Sequence, residues 1–172
     1  MSALRSITFA YRAREDRVLA AVNLGQAEAW SCWLTRRLSL AVLERAAQFL
    51  ATTSPLAQRA APDQRHEVAA FERDAALATT AQALSATPTD ALSPSAASAE
   101  LADRLTITQQ GQDFRFELMG DRGGGAMGMV LRPELQRILR MLEGEVIKAG
   151  WVNVIAASAP VAQEGAPKPA RH

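Results

Sequence analysis

Cys32, His66 and His172 are the residues whose types could supply a nucleophile, a metal ligand or a proton carrier near neutral pH. None sits in a pattern that would let it do so. Cys32 alternates with Trp30 and Leu34, a spacing that puts all three on one face of a strand. That face reads as core, where a cysteine behaves as a small apolar side chain. His66 has Asp63 and Glu67 nearby, but adjacent helical positions do not face each other, so it reads as a solvated surface residue. His172 ends a segment rich in alanine and proline. One cysteine and two distant histidines match no zinc-ligand spacing. The carboxylates occur singly or as near neighbours (Glu15-Asp16, Asp113, Glu143 with Glu145), so no acid–base pair converges. Gly120-Asp121-Arg122-Gly123-Gly124-Gly125 precedes a strand, whereas a phosphate-cradling glycine loop precedes a helix and carries a Lys-Ser/Thr pair. It reads as a hairpin connection. The expectation is therefore a protein that is not an enzyme and has no cofactor and no metal.

The arginines are the remaining chemistry. Arg12, Arg14 and Arg17 cluster around a predicted hairpin, Arg36 and Arg37 open a predicted helix, and Arg122 lies in the glycine loop. These six form the candidate interaction surface. Arg132, Arg137 and Arg140 lie on or near a second helix. Phe9, Tyr11, Trp30 and Trp33 are interleaved with the first group and could stack on bases, as single-strand binding requires. Against that reading, positive charge at a helix N-terminus is disfavoured by the macrodipole, and the whole chain carries a formal charge of only +1. The favoured function is a non-catalytic protein-interaction or assembly module with a protein partner. The alternative is single-stranded nucleic-acid binding through the Arg-rich first half. A small-molecule pocket between the two halves ranks third, and a homodimer is compatible with all three.

Positioning these residues is the task of two similar runs of elements. Ile7–Phe9, Val18–Val22 and Trp30–Leu34 are predicted strands, followed by a helix over Arg36–Leu50. Leu105–Ile107, Phe114–Leu118 and Met127–Leu131 are predicted strands, followed by a helix over Pro133–Ala149. Trp30, Cys32 and Leu34 fall 97 residues before Met127, Met129 and Leu131, which predicts that both sets face a core. Thr35 is a good N-cap for the first helix, and Pro133 suits the first position of the second. The fold expected is α+β, a duplicated strand-strand-strand-helix unit (β-β-β-α twice) with pseudo-twofold symmetry.

Domain organisation follows. Residues 1–155 form one domain, with the first repeat over about 4–53 and the second over about 101–155. Between them, an amphipathic helix over 62–84 is expected to present Val68, Phe71, Ala75 and Ala78 on its apolar face. An Ala/Ser/Thr/Pro linker covers 85–99, and a disordered tail covers 156–172. Trp151–Ile155 suits a short terminal strand or a packing anchor.

The 172 residues are 48% hydrophobic, enough for one sizeable core, although much of that fraction is alanine. Residues 1–53 carry 7 basic and 4 acidic side chains, residues 54–104 carry 4 and 7, and residues 105–155 carry 6 of each. Any specialised surface should therefore lie where the halves differ. A lone cysteine rules out an intrachain disulfide and fits a reducing compartment. No apolar run is long enough to cross a membrane, and no signal peptide is visible at Met1–Arg14. A cytoplasmic, bacterial protein is expected.

Overall fold

The computed structural model describes residues 1–80 and 96–152. Among these residues the elements are β1 (Ser2–Ala3), β2 (Ile7–Arg12), β3 (Arg17–Val22), β4 (Trp30–Leu34), α1 (Arg36–Thr53), α2 (Pro55–Arg59), α3 (Arg65–Thr80), β5 (Glu100–Gln110), β6 (Asp113–Gly120), β7 (Gly125–Val130) and α4 (Arg132–Lys148). The strands form one mixed sheet in the order β1-β7-β6-β5-β4-β3-β2. Pairing is antiparallel except at β1/β7 and at the central β4/β5 junction.

The α+β class holds, but the twice-repeated unit does not. Four strands precede three helices, then three strands precede one, and all seven described strands share a single sheet. The 97-residue equivalence also fails, by one position. On β4, Cys32 and Leu34 are fully buried. On and just after β7, Met129 and Leu131 are 51% and 55% exposed, and Ala126 and Val130 face the core instead. In a strand a one-residue slip sends every side chain to the opposite face. The pairing settles which face is which: Val130 lies beside the buried Phe114, while Met129 lies beside Arg115.

A seven-stranded sheet laid flat would be about 29 Å wide. Yet β1 and β2, at its two ends, are separated in the chain only by Leu4-Arg5-Ser6, a reach of about 14 Å. The sheet must therefore curl until its edges approach. Two residues admit and hold the strap that joins them. Leu4 N donates to Met127 O at 2.7 Å and crosses β7 at Gly128, where an added methyl group would meet the Leu4 side chain at 2.8 Å. Asn23, fully buried with φ +53, accepts from Arg5 N (2.9 Å) and Ser6 N (3.2 Å) and donates to Ala3 O (2.7 Å). Asparagine suits that left-handed position because its short polar side chain tolerates it.

The concave face holds the core. Phe9, Val18, Ala20, Cys32, Leu34, Phe114, Phe116 and Leu118 pack against Val42 of α1 and Leu135, Ile138, Leu142 and Val146 of α4. Those helix positions follow the 3–4 spacing seen in the sequence. Thr35 caps α1 by accepting from Leu38 N. At α4 the boundary shifts by one: Leu131 is the cap, Arg132 the first helical residue and Pro133 the second, with Glu134 accepting from Leu131 N at 2.9 Å. The helix ends at Gly150 (φ +66), where Trp151 N donates to Val146 O, closing a glycine-terminated cap. Trp151 is a buried anchor, packed edge-on to Tyr11 at 5.6 Å and donating from its indole to Asp16. α4 also covers the exposed edge of β2, because Tyr11 N donates to Glu145 Oε2 at 2.8 Å.

Arg132 ties the helices together. Its guanidinium lies over the Phe114 ring at 5.0 Å and donates to Leu50 O, Thr53 O and Thr53 Oγ1 at the end of α1. It pairs with Glu72 of α3 at 3.8 Å. The carbonyl end of α1 supplies negative potential that offsets the poor placement of a cation at the start of α4. Burial lowers the Arg132 pKa from its ordinary value while Glu72 opposes the shift. Among the described residues, no helix is long and apolar enough to cross a membrane. The tail expected over 156–172 and most of the linker expected over 85–99 lie outside the described residues.

Asn23→Ala should lower the unfolding free energy by about 2–4 kcal/mol, because it strands buried groups on the strap. Chemical denaturation monitored by circular dichroism measures it. Arg132→Met should cost about 2–4 kcal/mol by leaving the Glu72 carboxylate and two helix-end carbonyls without their partner. Arg132→Lys should recover less than half of that loss, since a point charge cannot serve the same fork of acceptors.

Candidate functional site

The β2–β3 hairpin turns through Ala13–Asp16, with Asp16 at φ +46. Its carboxylate accepts from Tyr11 Oη and Trp151 Nε1, both at 3.0 Å, which fixes the hairpin against the end of α4. The Asp16 hydrogen bond, more than burial, raises the Tyr11 pKa. Arg12 and Arg14 then line one recess of about 310 Å³ together with Glu15, Trp33 and Ala96. Arg17 lies opposite Arg12 in the ladder and is exposed outside that recess. Arg36 is exposed at the start of α1 and donates to Trp151 O at 3.4 Å, and Arg37 beside it is exposed. Arg122 donates from its side chain to Ser98 O at 3.2 Å. Of the six arginines, the fold gathers Arg12 and Arg14 around an indole and leaves the other four outside that recess.

The glycine loop has a different role from a loose connection. Glu100, the first residue of β5, accepts from Trp30 Nε1 (3.0 Å), Arg122 N (3.1 Å) and Gly124 N (3.2 Å). A Cβ at Gly124 would collide with both the Glu100 carboxylate and the Trp30 indole nitrogen. The glycines are thus the room in which a carboxylate of the same chain sits. The Trp30 hydrogen bond, ahead of burial and the backbone donors, shifts the Glu100 pKa, and the net direction is downward. Cys32, paired in register with Glu100 at the parallel β4/β5 junction, is fully buried. Its thiol is pushed up to about 12 by burial first and the Glu100 charge second, so it stays protonated at neutral pH.

A second concavity lies on the helical side and was not anticipated at this place. α1, α3 and α4 enclose a cleft of about 460 Å³, whose walls include Leu43, Ala47 and Leu50, then Ala69 and Ala70, then Gln136 and Leu139. It exists because α3 turns alanines and Glu72 inward. Val68, Ala69, Ala70 and Glu72 are half-buried, whereas Ala75 and Ala78 are exposed and Phe71 is 71% exposed. The apolar face expected on this helix is therefore mostly its outer one, and only Val68 of the four turns partly inward. Sequence periodicity locates such a stripe but does not say which way it points, and the Glu72–Arg132 pair decides that here. No protein-family model, curated protein or solved structure matches the chain.

Because the Glu100 pKa is lowered on folding, its carboxylate stabilises the fold fully above the ordinary glutamate value of 4.5, and that contribution is lost as pH falls through the lower folded value. The stability difference between wild type and Glu100→Gln should accordingly be constant near neutrality and shrink in acid below that point, as read by denaturant titrations across pH. Gly124→Ala should cost about 1–3 kcal/mol at neutral pH by forcing the carboxylate and Trp30 apart.

Proposed function

We propose that this protein is a non-catalytic interaction module whose partner-facing surface is the outer face of α3. What supports the reading is the orientation of that helix: Phe71 stands in solvent in line with Ala75 and Ala78, while the chain's own core takes the less apolar side. An exposed aromatic on an otherwise complete fold is a common anchor for partners. Exposed Glu67 and Asp74 border it, and residues 54–104 are the acidic third of the chain. The matching partner is a protein segment with an apolar strip flanked by basic side chains. The free Cys32 fits a reducing compartment such as the cytoplasm.

A second reading, single-stranded nucleic-acid binding, is favoured by one observation: Arg12, Arg14 and Trp33 share a recess. Guanidinium groups beside an indole can take a phosphate and a stacked base. The charge balance of the whole chain weighs against it.

Phe71→Ser should leave thermal stability within about 0.5 kcal/mol, since the residue is exposed. It should abolish a photo-crosslink formed in cell extract by a photoreactive phenylalanine analogue placed at Ala78. A crosslink that survives Phe71→Ser, or none at all, counts against the helix as the partner site. Titration of labelled oligonucleotides at two salt concentrations tests the second reading. Tight binding with a steep salt slope that weakens in Arg14→Ala and Trp33→Ala would put the hairpin ahead of α3.

A further inference from the structure

We infer that α3 is a hinged cover: it leaves the groove between α1 and α4 as a unit while the curled sheet and those two helices stay folded. The inference concerns how α3 is held and does not depend on the partner proposed for its outer face.

The attachment of this 16-residue helix is slight. It packs chiefly against α1, α2 and α4, and none of its described residues belongs to the core cluster on the sheet. Its inward side chains Val68, Ala69, Ala70 and Glu72 are half-buried, and none of its described side chains is fully buried. Phe71, the aromatic that could anchor it, is 71% exposed. A concavity of about 460 Å³ remains between Ala69 and Ala70 on one side and Leu43, Leu50 and Leu139 on the other. The two surfaces therefore meet incompletely, and a gap of that kind forfeits dispersion contacts on both walls. Few buried apolar contacts are the mark of a segment that opens locally.

The polar attachment is equally light. Among the described residues one ion pair, Glu72 with Arg132 at 3.8 Å, joins α3 to the helices beneath it. Departure of α3 does not strand Arg132. Its guanidinium keeps Leu50 O, Thr53 O, Thr53 Oγ1 and the Phe114 ring, and the water that replaces α3 solvates both separated charges. The hinge is visible as well. Ser54 and Ala57 of the α2 turn are buried, and Ser54 accepts from Ala57 N at 3.0 Å, so α2 is fixed to the body. The next stretch, Ala61–Gln64, is exposed and leads into α3. Opening about that stretch uncovers Leu43, Leu50 and Leu139, which the closed form shields.

Native-state hydrogen exchange of the full chain, followed by mass spectrometry, tests this. A released helix of this length is marginal in water, so its amides exchange once it leaves the groove. Peptides covering Val68–Ala75 should show measurable protection, but about a hundredfold less than peptides covering Val42–Phe49 and Ile138–Val146. Glu72→Gln should speed α3 exchange by about fivefold. Val146→Ala lies in the core away from the groove, and it should speed exchange of α1 and α4 by about tenfold while leaving α3 unchanged. A one-unit fold would instead show α3 accelerating in step with α1 and α4, and that result overturns the inference. So does α3 exchange as fast as an unstructured peptide, which would mean that it never docks. Should Val146→Ala fail to fold, low denaturant concentrations on the wild-type chain decide the same point. Exchange of α1 and α4 should then rise steeply with denaturant and that of α3 hardly at all, whereas equal slopes would refute independent opening.

Discussion

Everything in this fold follows from a short strap. Leu4-Arg5-Ser6 must join the two extremes of a seven-stranded order, so the sheet has no flat alternative. Curling gives it one concave face, a trough in which helices can bury their apolar stripes. α1 and α4 do so, and Asn23 holds the seam by bonding three backbone groups of the strap region from the end of β3. α2 and α3 are consequently left as an outer layer. Neither contributes a residue to the core cluster on the sheet, and both pack chiefly against other helices.

Much of the architecture was legible from local patterns. Strand alternation at Phe114, Phe116 and Leu118, the Thr35 cap, the Gly150 stop and the apolar stripes of α1 and α4 all depend on nearest neighbours along the chain, and all are found where the periodicity puts them. What was not legible depends on distant partners. β1 has two residues and no pattern of its own, and it exists because β7 offers an edge. The β4/β5 pairing is parallel and spans the whole helical excursion, so nothing local announces it. The supposed duplication arose from comparing two strands one residue out of phase. Trp30, Cys32 and Leu34 alternate convincingly, and so do Met127, Met129 and Leu131, but in the second run both faces carry apolar residues, so alternation alone does not say which face is inside. Gly128 was such a marker, since the chain crosses there, and glycine in a strand signals close approach.

The candidate site was legible in the same uneven way. Arginines and aromatics near the first hairpin were visible as a group, and Arg12, Arg14 and Trp33 do meet. Their neighbours in that group were separated by geometry that the sequence does not encode locally: Arg36 bonds to the end of α4, and Arg122 bonds to the approach to β5. The glycine loop reads from sequence as a hairpin connection, which it is, but its glycines also make room for a side chain. The missing information was that the object approached is Glu100 of the same chain, twenty residues before it.

The helical side carries the sharper lesson, because one ion pair there sets two surfaces at once. Phe71 and Glu72 are adjacent, so their side chains leave α3 about 100° apart. Rotating the helix by that angle would drive Phe71 into the space that is now the cleft and would close the apolar layer. The same rotation would pull Glu72 away from Arg132, which sits over Phe114 and is already committed to the end of α1. Arg132 would keep its acceptors at the end of α1 and the Phe114 ring, but it would lose the carboxylate that offsets its burial. The helix therefore keeps its polar residue inside. An alanine-lined concavity on one side of α3 and an exposed phenylalanine on the other are two consequences of that single orientation.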